Sequence, residues 1–125
     1  MISIDLPFPP SVNHYWGSKS IRRGPRNTVS RYVNKAGKAF RTETIYRCTI
    51  ARIRNGLTGE LKCSIDLYPP DRRIRDVDNY PKGILDALVH AGVMVDDSQV
   101  VDLRIRMMNP VKPGRVSVRL ETAGG

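Results

Sequence analysis

An α+β domain, with one mixed β-sheet and two helices packed on one face of it in the order β-α-β-α-β-β, is the architecture this sequence predicts. Three observations carry it. Four segments alternate apolar and polar residues, two segments carry helical composition with recognisable stops, and a length of 125 residues fits one modest core. Residues 1–125 are therefore read as a single domain, without internal repeats.

The first strand is Ile2, Ile4 and Leu6 alternating with Ser3 and Asp5, ended by Pro7, Pro9 and Pro10. Ser11 to Arg31 lacks periodicity and reads as a loop of about twenty residues, a length that in a small domain points to function or mobility. Its basic residues, Lys19, Arg22, Arg23, Arg26 and Arg31, suit phosphate contacts. Tyr15 or Trp16 either stacks on an unpaired base or packs on the sheet, and His14 has no acid near it in sequence to make it a strong catalytic candidate.

A helix is predicted from Asn34 or Lys35 to about Asn55, with Gly56 as its stop and most of its lysines and arginines facing solvent. Leu61, Cys63, Ile65 and Leu67 then alternate with Lys62, Ser64, Asp66 and Tyr68 as a second strand. Val101, Leu103, Ile105 and Met107 form a third, and Val116, Val118 and Leu120 a fourth. The turn from Asn109 to Gly114 predicts that the last two pair as a hairpin.

Composition restricts the function. A formal charge of +9 and a pI near 10.1 favour a polyanionic partner, with nucleic acid first for a chain that has no bilayer-spanning apolar run. MISIDLPFPP does not resemble a secretory signal, so a cytoplasmic location is expected, with Cys48 and Cys63 as buried reduced thiols. Their spacing does not suit zinc.

Chemistry concentrates between Asp71 and Asp97, in DRRIRDVDNYPKGILDALVHAGVMVDD. In extended backbone Asp76 and Asp78 point to one face, and both reach the same cation. Asp78 reads as an N-cap, Pro81 as a first-turn residue, and Ile84, Leu85, Leu88 and Val89 as the buried stripe of a helix that Gly92 terminates. That helix sets Lys82 one turn beyond Asp78. Asp96 and Asp97 follow, and meet the first pair only if the chain crosses the neighbouring sheet. Mg²⁺ takes a few carboxylates and leaves room for phosphate oxygens, so Asp76, Asp78 and one of Asp96 or Asp97 suit it, with Lys82 near the phosphate. The bland alternative keeps Asp78 as a cap, Asp76 paired with Arg73 or Arg75, Lys82 solvated and Asp96-Asp97 in a turn.

The run DRRIRDVDNYPKGILDALVHAGVMVDDSQVVD resembles the signature of the RusA family of Holliday junction resolvases: D-R-R-x-R-D-x-D-N, a lysine four residues on, then A-G-x-x-x-D-D-x-Q-V-V. LPFPPSVNHYW is similar to that family's opening. The resemblance implies Asp76, Asp78 and Asp97 as metal-binding catalytic acids, Lys82 as a catalytic lysine and Asp96 as the secondary candidate. It further implies a homodimeric, Mg²⁺-dependent endonuclease, with Mn²⁺ as substitute, that makes paired cuts in four-way DNA junctions during recombination and repair. Lys19, Arg22, Arg23, Arg26, Arg72, Arg73 and Arg75 are the expected DNA-binding residues. Pro81 departs from the family pattern, as does the loop from Lys19 to Arg26. A module that binds branched or single-stranded DNA without cutting it is the competing class.

Overall fold

The computed structural model describes residues 1–124, and every side chain among them except those of Ile21 and Arg23. In chain order the elements are β1 (Ile2–Pro7), α1 (Val12–Tyr15), β2 (Trp16–Arg23), β3 (Arg26–Val33), α2 (Lys35–Ile50), β4 (Leu61–Tyr68), α3 (Pro81–His90), β5 (Val100–Met107) and β6 (Arg115–Thr122). The main sheet has the order β1-β6-β4-β5, with β4 and β5 parallel and the other pairs antiparallel. This is the expected α+β class with a mixed sheet.

Periodicity explains the core. Leu61, Cys63, Ile65 and Leu67 of β4, with Val116, Val118 and Leu120 of β6, bury their side chains in one cluster with Ile84, Leu85, Leu88 and Phe40. Each large aliphatic side chain buried there contributes roughly 1.5–3 kcal/mol. On the other face of β4, Lys62 and Ser64 alternate with that core, and Asp66 is held by Arg106 at 3.0 and 3.2 Å. The two cysteines are free and buried, and burial pushes the Cys63 thiol up to about 12.

The structure corrects several expectations. Ser11 to Arg31 is not a loop: it holds α1 and a two-stranded sheet, β2 against β3, paired from Trp16↔Val33 to Arg23↔Arg26. The signal was absent because β3 is exposed along most of its length, and a strand without a buried face shows no alternation. β5 and β6 do not form a hairpin, since β4 lies between them. The connection from Met108 to Gly114 crosses the end of β4, tied there by Met108 N–H donating to Leu67 O at 2.7 Å and Val111 N–H donating to Pro69 O at 2.9 Å.

Helix ends differ too. Helix α2 stops at Ile50 rather than near Asn55, because Ile53 N–H donates to Cys48 O and Arg52 takes φ 58°. This is the usual left-handed stop, reached here by a residue other than glycine at a cost of about 1 kcal/mol. Helix α3 ends as expected: Gly92 has φ 76° and Val93 N–H donates to Leu88 O. Its start differs, since Tyr80 is the N-cap and Asp78 lies in a 3₁₀ turn, Val77–Asn79, just before it. Tyr80 is buried against Phe8, with ring centroids 5.1 Å apart, and that packing fixes where the helix begins. Asp78 therefore makes no cap hydrogen bond.

Tyr15 ties the β2-β3 arm to both long helices. It is fully buried, and a Cβ added to Gly83 would approach its ring to 2.8 Å. Its hydroxyl donates to Asp86 Oδ2 at 2.5 Å, while Arg41 Nε donates to the same oxygen at 2.8 Å. Burial first, and the hydrogen bond to Asp86 second, push the Tyr15 pKa up. Tyr15 thus packs in the interior and does not stack on a base. Replacing Tyr15 with Phe removes a hydrogen bond to a charged group, and urea unfolding is expected to show a loss of about 1.5–3 kcal/mol.

Candidate active site

The five residues on which the sequence concentrates chemistry divide into two groups in space. Asp76, Asp78 and Lys82 occupy the turn before α3 and its first helical turn. All three side chains are exposed. The neighbouring arginines are engaged elsewhere: Arg75 pairs with Asp71 at 2.8 Å and lies 5.6 Å over the Phe8 ring, and Arg73 reaches Asp71 at 3.6 Å. These contacts lower the Asp71 pKa, the hydrogen bond from Arg73 N–H first, then that from Arg75. Among the described residues, the carboxylates of Asp76 and Asp78 make no hydrogen bond or salt bridge, so neither is an ion-pair partner of these arginines.

The second acid pair is resolved by its hydrogen bonds. Asp96 caps the 3₁₀ turn Asp97–Gln99: its carboxylate accepts from Ser98 N–H at 3.1 Å and from the Ser98 hydroxyl. Gln99 completes the box, its Oε1 accepting from Asp96 N–H at 2.9 Å and its Nε2 donating to Leu57 O at 2.8 Å and Gly59 O at 2.9 Å. The bonds from Ser98, side chain first, lower the Asp96 pKa. Asp97 is left exposed and makes no hydrogen bond or salt bridge through its carboxylate among the described residues. An Asp followed three residues later by Gln was the sequence signal for this division of labour.

The fold sets the two groups apart. Asp97 precedes Val100, which is in register with Leu61 at the start of β4. Asp76 and Asp78 stand at the other end, because Tyr80 and Arg75 pack on Phe8, next to Pro7↔Arg115 and the Tyr68↔Arg115 pair that ends β4. Eight residues of β5 separate these ends, roughly 23 Å of strand. The run from Val93 to Val95 does not cross the sheet: it stays at the β4 start, where Met94 bridges to Leu57. Among the described residues no three His, Cys, Asp or Glu side chains of one chain form a group able to hold a metal ion.

The match to known proteins decides the lineage: the family described as Endodeoxyribonuclease RusA covers residues 7–121. The chain belongs to the RusA family. It is similar to the crossover junction endodeoxyribonuclease RusA of Escherichia coli (strain K12), 37% identical over 122 residues, which are 98% of this chain and 95% of that protein. The corresponding protein of Shigella sonnei (strain Ss046) is 36% identical over 122 residues, 98% and 95% of the two chains. That of Enterobacteria phage 82 is 35% identical over 121 residues, 97% and 94%.

Around the acids, this RusA-family chain arranges its cations in two sets. Lys82 Nζ lies 5.5 Å from the centroid of Trp16, whose ring also faces Arg31 at 5.5 Å. Trp16 is half-buried and sits at the base of the β2-β3 arm, so Lys82 is steadied by the arm rather than left to swing in solvent. Lys19, Arg22 and Arg26 are exposed along the arm, and Arg72 is exposed beside the first acid group. Arg23 has its side chain outside the described residues. Among the described residues, Arg75 is the expected DNA-binding arginine whose guanidinium is turned inward, toward Asp71 and Phe8. No helix of the described chain is long and apolar enough to cross a membrane.

Proposed function

We propose that this chain is a divalent-cation-dependent endodeoxyribonuclease that resolves four-way DNA junctions as a homodimer, acting in the cytoplasm in recombination and repair. The observation that carries this reading is that the three acids implied as metal ligands by the family signature all keep free carboxylates. In a chain of 21 basic and 12 acidic residues, Asp5, Glu43, Asp66, Asp71 and Asp86 each face an arginine and Asp96 caps a turn. Among the described residues Asp76, Asp78 and Asp97 instead keep their oxygens available, and the other acids that do so, Glu60, Asp102 and Glu121, are not among the ligands that signature implies. Carboxylates presented to solvent without partners have the donor chemistry that Mg²⁺ or Mn²⁺ requires.

The same three acids account for the dimer. With Asp97 at the far end of β5 from Asp76 and Asp78, one chain supplies an incomplete ligand set, and a two-fold partner in antiparallel contact supplies the remainder. Each site then takes Asp76 and Asp78 from one subunit and Asp97 from the other. Two such sites related by symmetry match paired incisions in two opposed strands. When bound, the cation supplies a Lewis acid for the scissile phosphodiester. Lys82 adds positive charge beside the same phosphate, and the arm cations orient the duplex by its backbone. The junction is recognised by its branched shape.

The direct test is a synthetic four-way junction incubated with the protein in Mg²⁺ and in EDTA. Paired nicks in Mg²⁺ that vanish in EDTA are expected. Cutting that persists in EDTA removes the cation, and binding without cutting in any divalent metal favours a non-catalytic branched-DNA or single-stranded-DNA binding module.

Two further outcomes are expected. Replacing Lys82 with Ala lowers the single-turnover cleavage rate by about a hundredfold while changing junction affinity less than about threefold, as a titration alongside the kinetics would report. Replacing Lys19, Arg22 and Arg26 together with Ala flattens the slope of log K against log salt by about five, since a dimer loses six phosphate contacts. An unchanged slope would place the DNA elsewhere.

A further inference from the structure

We propose that two chains join through β5, each pairing antiparallel with its copy about a two-fold axis at Leu103, in a register selected by Asp102 and Arg104. The inference rests on the dimeric reading above and names its interface.

β5 is an edge strand of the main sheet, with β4 on one side only. An open edge presents unpaired N–H and C=O groups that template a further strand. Leu103 and Met107 are in register with Cys63 and Leu67, so their side chains stand on the helix-bearing face, yet they remain 42% and 37% exposed. Val101, at 55%, extends the apolar exposure along the same strand. Ile105 packs against the core beneath the helices, while Leu103 and Met107 on the same face stay open at this edge.

Backbone polarity determines which residues reach a partner. Met108 N–H donates to Leu67 O, so in the parallel ladder Met108, Arg106, Arg104 and Asp102 turn their amide groups toward β4. Leu103, Ile105 and Met107 turn theirs outward. A two-fold axis that keeps the helices of both chains on one side of the joined sheet passes through a residue that faces its own copy.

Charge then selects among the possible axes. Through Asp102 the axis sets that acid against itself, through Arg104 it opposes two guanidinium groups, and through Ile105 it sets Arg104 against Arg106. Through Leu103 it places Asp102 of each subunit opposite Arg104 of the other, twice. Among the described residues neither Asp102 nor Arg104 has an ion pair within its own chain, whereas Arg106 is engaged with Asp66. In this register Leu103 exchanges both backbone hydrogen bonds with its copy. The Asp102–Arg104 pairs fall at non-hydrogen-bonded positions, where facing Cα atoms approach to about 4.5 Å. The axis also carries Asp97 of one subunit past Met107 of the other, to the end of β5 where Asp76 and Asp78 stand.

The test is charge reversal followed by sedimentation equilibrium. Asp102→Arg and Arg104→Asp are each expected to weaken the dimer by at least about a hundredfold, because each turns both pairs repulsive. An equimolar mixture of the two variants restores a dimer, since every facing pair is then opposite in sign. The double variant D102R/R104D returns to within about threefold of the unaltered chain. Both side chains are exposed, so thermal unfolding of the monomers serves as the control for folding. Normal dimerisation by either single variant, a mixture or double variant that stays monomeric, or an unaltered chain that is monomeric throughout, overturns the proposal. Cutting is scored separately: a dimer with these responses that leaves junctions intact retires the nuclease reading and keeps the interface, and a junction-cutting dimer indifferent to both reversals does the opposite.

Discussion

Replacing Asp76 or Asp78 with Asn lowers junction cleavage by about a thousandfold or more while binding is kept or strengthened. The reason lies in what these side chains touch. Both are exposed and make no bond within the fold, so an isosteric amide costs no packing and leaves the turn before α3 intact. What is lost is a negative oxygen donor that a divalent cation needs. What is gained is one fewer repulsion toward DNA phosphates. Single-turnover cleavage in Mg²⁺ and a gel-shift titration in EDTA measure the two quantities independently. A variant that loses binding and folding together would make these acids structural. Asp96→Ala predicts the reverse pattern: the turn loses its cap, at about 1 kcal/mol, and the cutting chemistry is affected only through the position of Asp97.

Mixing two inactive proteins restores activity. A chain carrying Asp78→Asn and a chain carrying Asp97→Asn are each inactive as homodimers, since every site in either dimer lacks one ligand. In a heterodimer, one site combines Asp76 and Asp78 of the second chain with Asp97 of the first, and that site is whole. Half the dimers in an equimolar mixture are heterodimers with one working site of two, so nicking recovers to about a quarter of the unaltered rate. The products are single nicks rather than paired cuts. No recovery after subunit exchange would place all the ligands of a site within one chain and end the shared arrangement.

These acids show how far primary structure reaches. Asp76, Asp78, Lys82 and Asp97 were legible as candidates because their order and spacing match a family signature, which alone put Asp96 second; the capping box that separates Asp96 from Asp97 emerged only from the hydrogen bonds of the turn. Their grouping was not legible. Whether Val93 to Val95 crosses the sheet or stays beside the start of β4 depends on the Met94–Leu57 bridge, a contact between residues 37 positions apart. The β2-β3 arm escaped notice for a different reason: alternation appears only where one face is buried, and this arm buries little. Arg52 hid the end of α2 because glycine is the residue that normally betrays a left-handed stop.

By itself the sequence determined the α+β class, the strands that bury Leu61 to Leu67 and Val116 to Leu120, the start of α3 near Pro81, and the family. All of these follow from local periodicity and spacing, which neighbours along the chain express directly. Tertiary structure alone decided that β4 lies between β5 and β6, that Tyr15 is buried in an ion-paired cluster, and that Asp97 stands at the far end of a strand from Asp76 and Asp78. Those outcomes depend on which distant segments pack together, and free energy gained by burying shared surface leaves no trace in the order of residues.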